Sequence, residues 1–239
     1  MQRNRLLLLA AALGAAAVVA VVLIVVASGG GSKSSSPTTT QSTTSTSTGS
    51  GDGVTSSFAG LPQHGDTLGR PAAPATMLVF EDPQCPYCRE FNINVLPSVV
   101  DQYVATGRLK IVFRGIEIID KNSLVGLRAI YAAGEQNKLW NVAEEMYLRQ
   151  GQERSGWITE SLVTDVARAA GANPAKVKAA MQSKAVTDAM KQAATEANDL
   201  GVQGTPTFFV QRPPALPVQL QITSLDPSAF SSALEATLQ

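Results

Sequence analysis

The only two cysteines among the 239 residues stand in one tetrapeptide, Cys85-Pro86-Tyr87-Cys88, where an apolar run gives way to a helical pattern. Met77-Leu78-Val79-Phe80 before the pair reads as a strand, and Phe91, Val95, Leu96, Val99 and Val100 after it recur at helical spacing. A strand-to-helix turn here places Cys85 at a helix N-terminus, where free N–H groups and the helix dipole stabilise a thiolate. Pro86 suits the first helical position, since its missing N–H would go unpaired there anyway. Two thiols at this spacing can close into a disulfide and open again. A closed zinc site needs four donors, and two cysteines with the single His64 cannot supply them. A purely structural bridge of this spacing closes almost no loop and stabilises little. No metal is therefore expected, and redox chemistry is the preferred reading.

The rest of the chain says where such chemistry would take place. Residues 6–27 form one uncharged apolar stretch, preceded by Arg3 and Arg5 and followed closely only by Lys33. Its length matches the roughly 30 Å of a bilayer core, and the flanking charges put the N-terminus in the cytoplasm. An uncleaved anchor over residues 1–27 is expected; the alternative is a cleaved signal peptide ending near Val25 and Ala27. A lipoprotein is excluded, because no cysteine precedes Cys85. Residues 28–57 are rich in Ser, Thr and Gly with almost no apolar side chains, so they form a disordered linker, a spacer or an O-glycosylated stalk. The folded domain is expected from residue 58 to 239. The balance of 19 basic and 19 acidic residues, with no basic run, argues against nucleic acid as a partner.

Within that domain, residues 76–81 read as a strand, and a helix from Pro86 to Thr106 should kink at Pro97. Leu109 to Arg114 reads as a second strand, which completes a βαβ unit with the cysteines on its first turn. Leu68 to Pro74 reads as a loop. About 121–201 the pattern is helical throughout, with Thr159 and Asn173-Pro174 as helix starts. Gly204 to Val210 is a strand that opens with Thr205-Pro206, Val218 to Thr223 is its antiparallel partner, and Asp226-Pro227 caps a last helix.

This order, together with Phe80-Glu81-Asp82-Pro83-Gln84-Cys85-Pro86-Tyr87-Cys88 and Gly204-Thr205-Pro206-Thr207-Phe208-Phe209, resembles the DsbA-like thiol:disulfide oxidoreductases. The resemblance covers about residues 60–238. It implies an α/β, thioredoxin-like fold with an inserted all-helical domain, here preceded by a transmembrane helix and linker. It also implies that Cys85 is the exposed nucleophile, Cys88 the buried resolving thiol, and Pro206 a cis proline beside the disulfide. Thr205 would tune the couple and hold the client backbone, and Pro86-Tyr87 is the tuning dipeptide. Two departures stand out. Relatives often carry a buried acid six residues before the first cysteine, where this chain has Val79; and the dipeptide is not the Pro-His of the strongest oxidants. Glu81, two residues on along the same strand face, is a candidate proton acceptor for Cys88, against the alternative of a surface charge at the strand end.

The function expected from these residues is oxidative: the Cys85–Cys88 disulfide is donated to reduced or unfolded protein clients outside the cytoplasm, with no cofactor beyond that disulfide. The resemblance implies reoxidation by a membrane partner of the DsbB or vitamin-K-epoxide-reductase type, and a monomer is expected. The helical block should overhang the cysteines and, with the Thr205 loop, form a client groove. Two other functions fit the same residues. One is a reductase or isomerase on the same fold; the other is a tethered binding module whose disulfide is merely structural.

Overall fold

The structure, a computed structural model, describes residues 56–239. The expected membrane segment and nearly all of the linker lie outside the described residues. Among the described residues no helix is long and apolar enough to cross a membrane. Packing is already established at the first of them. Ser56 Oγ donates to Glu144 at 2.7 Å, the Ser57 N–H donates to the same carboxylate at 3.1 Å, and Phe58 is buried edge-on to Trp140.

Among the described residues six strands form one sheet in the order β1-β2-β4-β3-β5-β6: Gln63–His64, Thr67–Leu68, Leu109–Gly115, Ala75–Glu81, Thr207–Gln211 and Val218–Gln219. β3 and β4 run parallel, with Val79 opposite Phe113 and Glu81 opposite Gly115, so a helical crossover must join them. β5 lies antiparallel on the other side of β3, Val79 facing Phe208. The β1–β2 hairpin is a correction to the loop expected around Leu68. Its strands are two residues each, too short to show a period of two, and β2 pairs with β4 at Thr67 to Val112. β6 is likewise shorter than expected, and β5 begins at Thr207, after the Thr-Pro pair.

The crossover after the cysteines is one continuous helical rod of changing pitch. It comprises α1 (Pro86–Glu90), a π segment (Phe91–Val95), α2 (Leu96–Val99) and a second π segment (Val100–Val104). This is how the chain accommodates Pro97: the wide turn before it takes up the carbonyl that a proline ring would strike in an α-helix. Five helices then separate β4 from β5: α3 (Asn122–Gly134), α4 (Leu139–Leu148), α5 (Glu160–Ala169), α6 (Pro174–Ala180) and α7 (Lys184–Asp199). Thr159 and Asn173 cap α5 and α6 by accepting from Leu162 N–H and Lys176 N–H, and Asp226 caps α8 (Pro227–Leu238) by accepting from Ser228 N–H.

The two faces of β3 meet different layers. Leu78 and Phe80 pack with Phe209 under Ala193 and Ala197 of α7. Met77, Val79 and Glu81 point the opposite way, toward the helical rod and α8, where Phe91, Phe208 and Phe230 cluster with centroids 4.6 to 5.5 Å apart. Arg114 of β4, on the α7 side, joins the layers by bridging Asp66 of the β1–β2 turn to Glu196 of α7. Trp140, Tyr131 and Tyr147 are core residues of the helical block.

Candidate active site

The two cysteines flank the first turn of α1. Cys85 is its N-cap residue, extended at φ −72° and ψ 120°, and Cys88 lies inside the first turn. Both are reduced in this structure. The turn before β5 brings Thr205 against the pair, with the Thr205–Pro206 peptide cis; the Cys85 thiol donates to the Thr205 carbonyl at 3.2 Å. Cys85, Cys88, Thr205 and Pro206 therefore meet, although 120 residues separate Cys85 from Thr205. Tyr87 of the dipeptide projects into solvent, 68% exposed. One expectation needs correcting: Cys85 is only 4% exposed rather than open to solvent. The helix start and the Thr205 turn cover most of its sulfur.

The two thiols have opposite environments. Cys85 is lowered to about 6, first by a hydrogen bond from the Cys88 thiol, then by the Thr205 side chain and the backbone N–H groups of Cys88 and Tyr87, all against the opposing effect of burial. Cys88 is wholly buried and pushed well above the ordinary thiol range, chiefly by burial, then by its bond to Cys85 and the nearby Glu81.

Glu81 is not a surface charge at the strand end. It is fully buried, on the inward face shared with Met77 and Val79, and burial raises it to about 8 against the opposing influence of the nearby Tyr147 hydroxyl and Asn92 amide. Asn92, one turn after Cys88, donates to Glu81 Oε2 at 3.0 Å and to the Cys88 carbonyl at 2.9 Å. Glu81 Oε1 and Asn92 Oδ1 are buried without a partner, two acceptors facing no donor. A protonated carboxyl needs such an acceptor, which agrees with a neutral Glu81.

The loop leading into Cys85 is held by residues the sequence did not single out. Asp82, wholly buried, accepts four hydrogen bonds: from Gln84 N–H (2.8 Å), Ser123 Oγ (2.6 Å), Ile118 N–H (2.8 Å) and Ile119 N–H (2.9 Å). Gln84, also buried, donates to Asp120 and Ser123 and accepts from Arg154 N–H. Its neighbour Pro83 packs on Gly126 of α3, where an added Cβ would meet the ring at 3.0 Å. An acid before a proline is the only local hint of any of this, since such side chains commonly cap a turn.

A cavity of about 630 Å³ opens beside the exposed Tyr87, between it, Glu90 and Asn94 of the helical rod and residues 222–227 at the start of α8. The last turn of α4 and the residues after it pack directly on the Asp82–Cys85 loop. No group of side chains among the described residues could hold a metal.

Comparisons with known proteins agree with this geometry. The family model described as Thioredoxin matches residues 63–234. A probable disulfide bond formation protein D of Bacillus anthracis is 29% identical over 149 residues, covering 60% of this chain and 68% of the relative. Among solved structures, oxidised BdbD from Bacillus subtilis superposes with a TM-score of 0.62 at 21% identity, over 72% of this chain and 92% of that one. The α-DsbA1 of Wolbachia pipientis gives 0.62 at 20% identity, over 77% and 96%.

Proposed function

The chain belongs to the thioredoxin family and is a thiol:disulfide oxidoreductase, and from that premise we propose that it donates its disulfide to reduced protein clients outside the cytoplasm. The observation that carries this reading is the inequality of the two thiols. A client thiolate attacks Sγ of Cys85 in the disulfide, forming the mixed disulfide and expelling Cys88. Cys88 leaves into a site that disfavours its charge, so it takes a proton, and the neutral carboxyl of Glu81 lies where it can supply one. A second client thiolate then attacks the client sulfur and expels Cys85 as a stable thiolate. The client loses two electrons and the pair gains them. In the return direction a partner's disulfide takes those electrons, and the Glu81 carboxylate accepts the Cys88 proton.

With its titration at about 6 instead of 9.0, Cys85 is roughly 90% ionised at pH 7, which stabilises the reduced form by about 1.4 kcal/mol. For a two-electron couple that makes the disulfide about 30 mV more oxidising, a fifth of the roughly 150 mV between thioredoxin and DsbA. The decisive experiment is therefore the reduction potential of residues 56–239 equilibrated against glutathione. A value near −120 mV supports the oxidase; a value near −270 mV would assign the chain to reduction instead.

The proposal extends to the surroundings. The 630 Å³ cavity beside Tyr87 is the client's seat, the Thr205–Pro206 turn against Cys85 holds the client backbone, and no cofactor is required beyond the disulfide. Residues 6–27 hold the domain at the outer face of the membrane, where a quinone-linked partner of the DsbB or vitamin-K-epoxide-reductase type reoxidises it. The domain acts as a monomer.

A further inference from the structure

The end of α4 and the residues just after it bind three carbonyls of the loop that carries the nucleophile. The Tyr147 hydroxyl donates to the Asp82 carbonyl at 3.4 Å. Gln150, two residues beyond α4, donates through its one amide nitrogen to two carbonyls, Pro83 at 2.8 Å and Cys85 at 3.0 Å. Because both partners are acceptors, only the NH2 end of the carboxamide can face them, and its two hydrogens are both used. Gln150 is itself fixed. Its N–H bonds the Tyr147 carbonyl at 3.2 Å, a carbonyl that also accepts from Arg89 Nε of α1 at 3.1 Å. The next residue, Gly151, lies so close under Trp157 that an added Cβ would sit 2.7 Å from the ring, so the chain leaves α4 by one tight path.

The Cys85 carbonyl is covalently close to its own sulfur, and its negative end opposes a thiolate there. It already accepts the first helical bond from Arg89 N–H at 3.1 Å, and the carboxamide of Gln150 is its second donor. Two donors on that oxygen draw its charge away from the sulfur. They also keep the peptide turned so that the Tyr87 and Cys88 N–H groups remain aimed at Sγ. We propose that Gln150 is a positioning residue for the thiol chemistry, holding the nucleophile's own peptide from the helical block through the paired carbonyls of Pro83 and Cys85. It touches neither sulfur, and it makes the inserted helices part of the active site rather than a cover for it. The inference rests on Cys85 being the nucleophile.

Two substitutions separate this role from simple packing. Gln150→Met keeps the length and bulk and removes both donors; Gln150→Glu keeps the shape and turns an acceptor toward two acceptors. The readout is the pH dependence of Cys85 alkylation in the folded, reduced protein, followed by mass spectrometry, with thermal melting alongside. The midpoint is expected to rise by roughly half to one pH unit in Gln150→Met, a three- to tenfold loss of thiolate at low pH, and further in Gln150→Glu. Midpoints that stay with the wild type while the melting temperature falls would reduce Gln150 to a structural contact and overturn the proposal, as would a Glu variant midpoint below that of Met. If Cys88 instead alkylates first in the wild type, the nucleophile assignment itself fails, which is a separate result.

Discussion

Replacing Glu81 by Gln should make this protein more stable, and by an amount that depends on pH in a defined way. Glu81 is wholly buried and titrates at about 8 rather than at its ordinary 4.5. Folding must therefore keep the carboxyl protonated at pH values where the unfolded chain would release the proton. The stability associated with this group is greatest below about pH 4.5 and is lost as pH rises toward 8. The slope over that interval is about 1.4 kcal/mol per pH unit, so the loss is about 3 kcal/mol at pH 7 and about 5 kcal/mol above pH 8. Gln is isosteric and never charged. It also brings an NH2 group into a space that now holds the unpaired acceptors Glu81 Oε1 and Asn92 Oδ1. Urea denaturation of reduced wild type and Glu81→Gln at pH 5, 7 and 8.5 measures the difference, and Cys85, whose depressed titration gives the opposite trend, cancels between the two proteins. The expected gain is below 1 kcal/mol at pH 5 and several kcal/mol at pH 8.5. A difference that does not grow with pH, or a variant less stable at every pH, would refute a buried neutral acid.

Other expectations follow from the same geometry. Iodoacetamide should modify Cys85 before Cys88, at a rate half-maximal near pH 6; a profile rising only above pH 8 would contradict the lowered thiol. Cys88→Ser should accumulate mixed disulfides with reduced client proteins on non-reducing gels, and Cys85→Ser should not. Asp82→Ala strands three backbone N–H groups and the Ser123 hydroxyl in the interior, so it should cost roughly 3–5 kcal/mol in chemical denaturation, with Asp82→Asn intermediate. Arg114→Met leaves Asp66 and Glu196 unpaired, but both are about a third exposed and can rehydrate, so the expected loss is only about 1–3 kcal/mol.

The parts legible in the sequence are those written locally. Thr159, Asn173 and Asp226 announce their helices because a cap binds an N–H two or three residues on. The cysteine pair and Thr205-Pro206 are short and chemically unusual. Glu81 was half legible: the period of two puts it on the inward face with Met77 and Val79, and a charged residue at a strand end hides that signal only by its composition. Asp82, Gln84 and Gln150 were not legible beyond the turn that Asp82 closes on Gln84 N–H, because their other side-chain partners lie 36 to 70 residues away and no spacing rule links them. The β1–β2 hairpin was missed for a different reason, having too few residues to alternate.

These positions divide the chemistry between the two parts of the domain. The sheet and the helical rod supply the proton side, with Glu81 on β3 and Asn92 one turn past Cys88. The helical block supplies the thiolate side, through Asp82's partners on residues 118–123 and through Gln150 on the carbonyls before and at Cys85. Changes at Glu81 should therefore act on Cys88, slowing the return step in which a buried thiol must lose its proton, and leave Cys85 alkylation nearly unmoved. Changes at Gln150 should do the reverse. Stopped-flow reoxidation by oxidised glutathione tests this separation, because it resolves formation of the mixed disulfide at Cys85 from its resolution by Cys88. Gln150→Met should slow the first phase alone, Glu81→Gln the second alone, and the double variant should show each change unaltered. If either substitution slowed the phase assigned to the other, both residues would act on one sulfur and the division would fail.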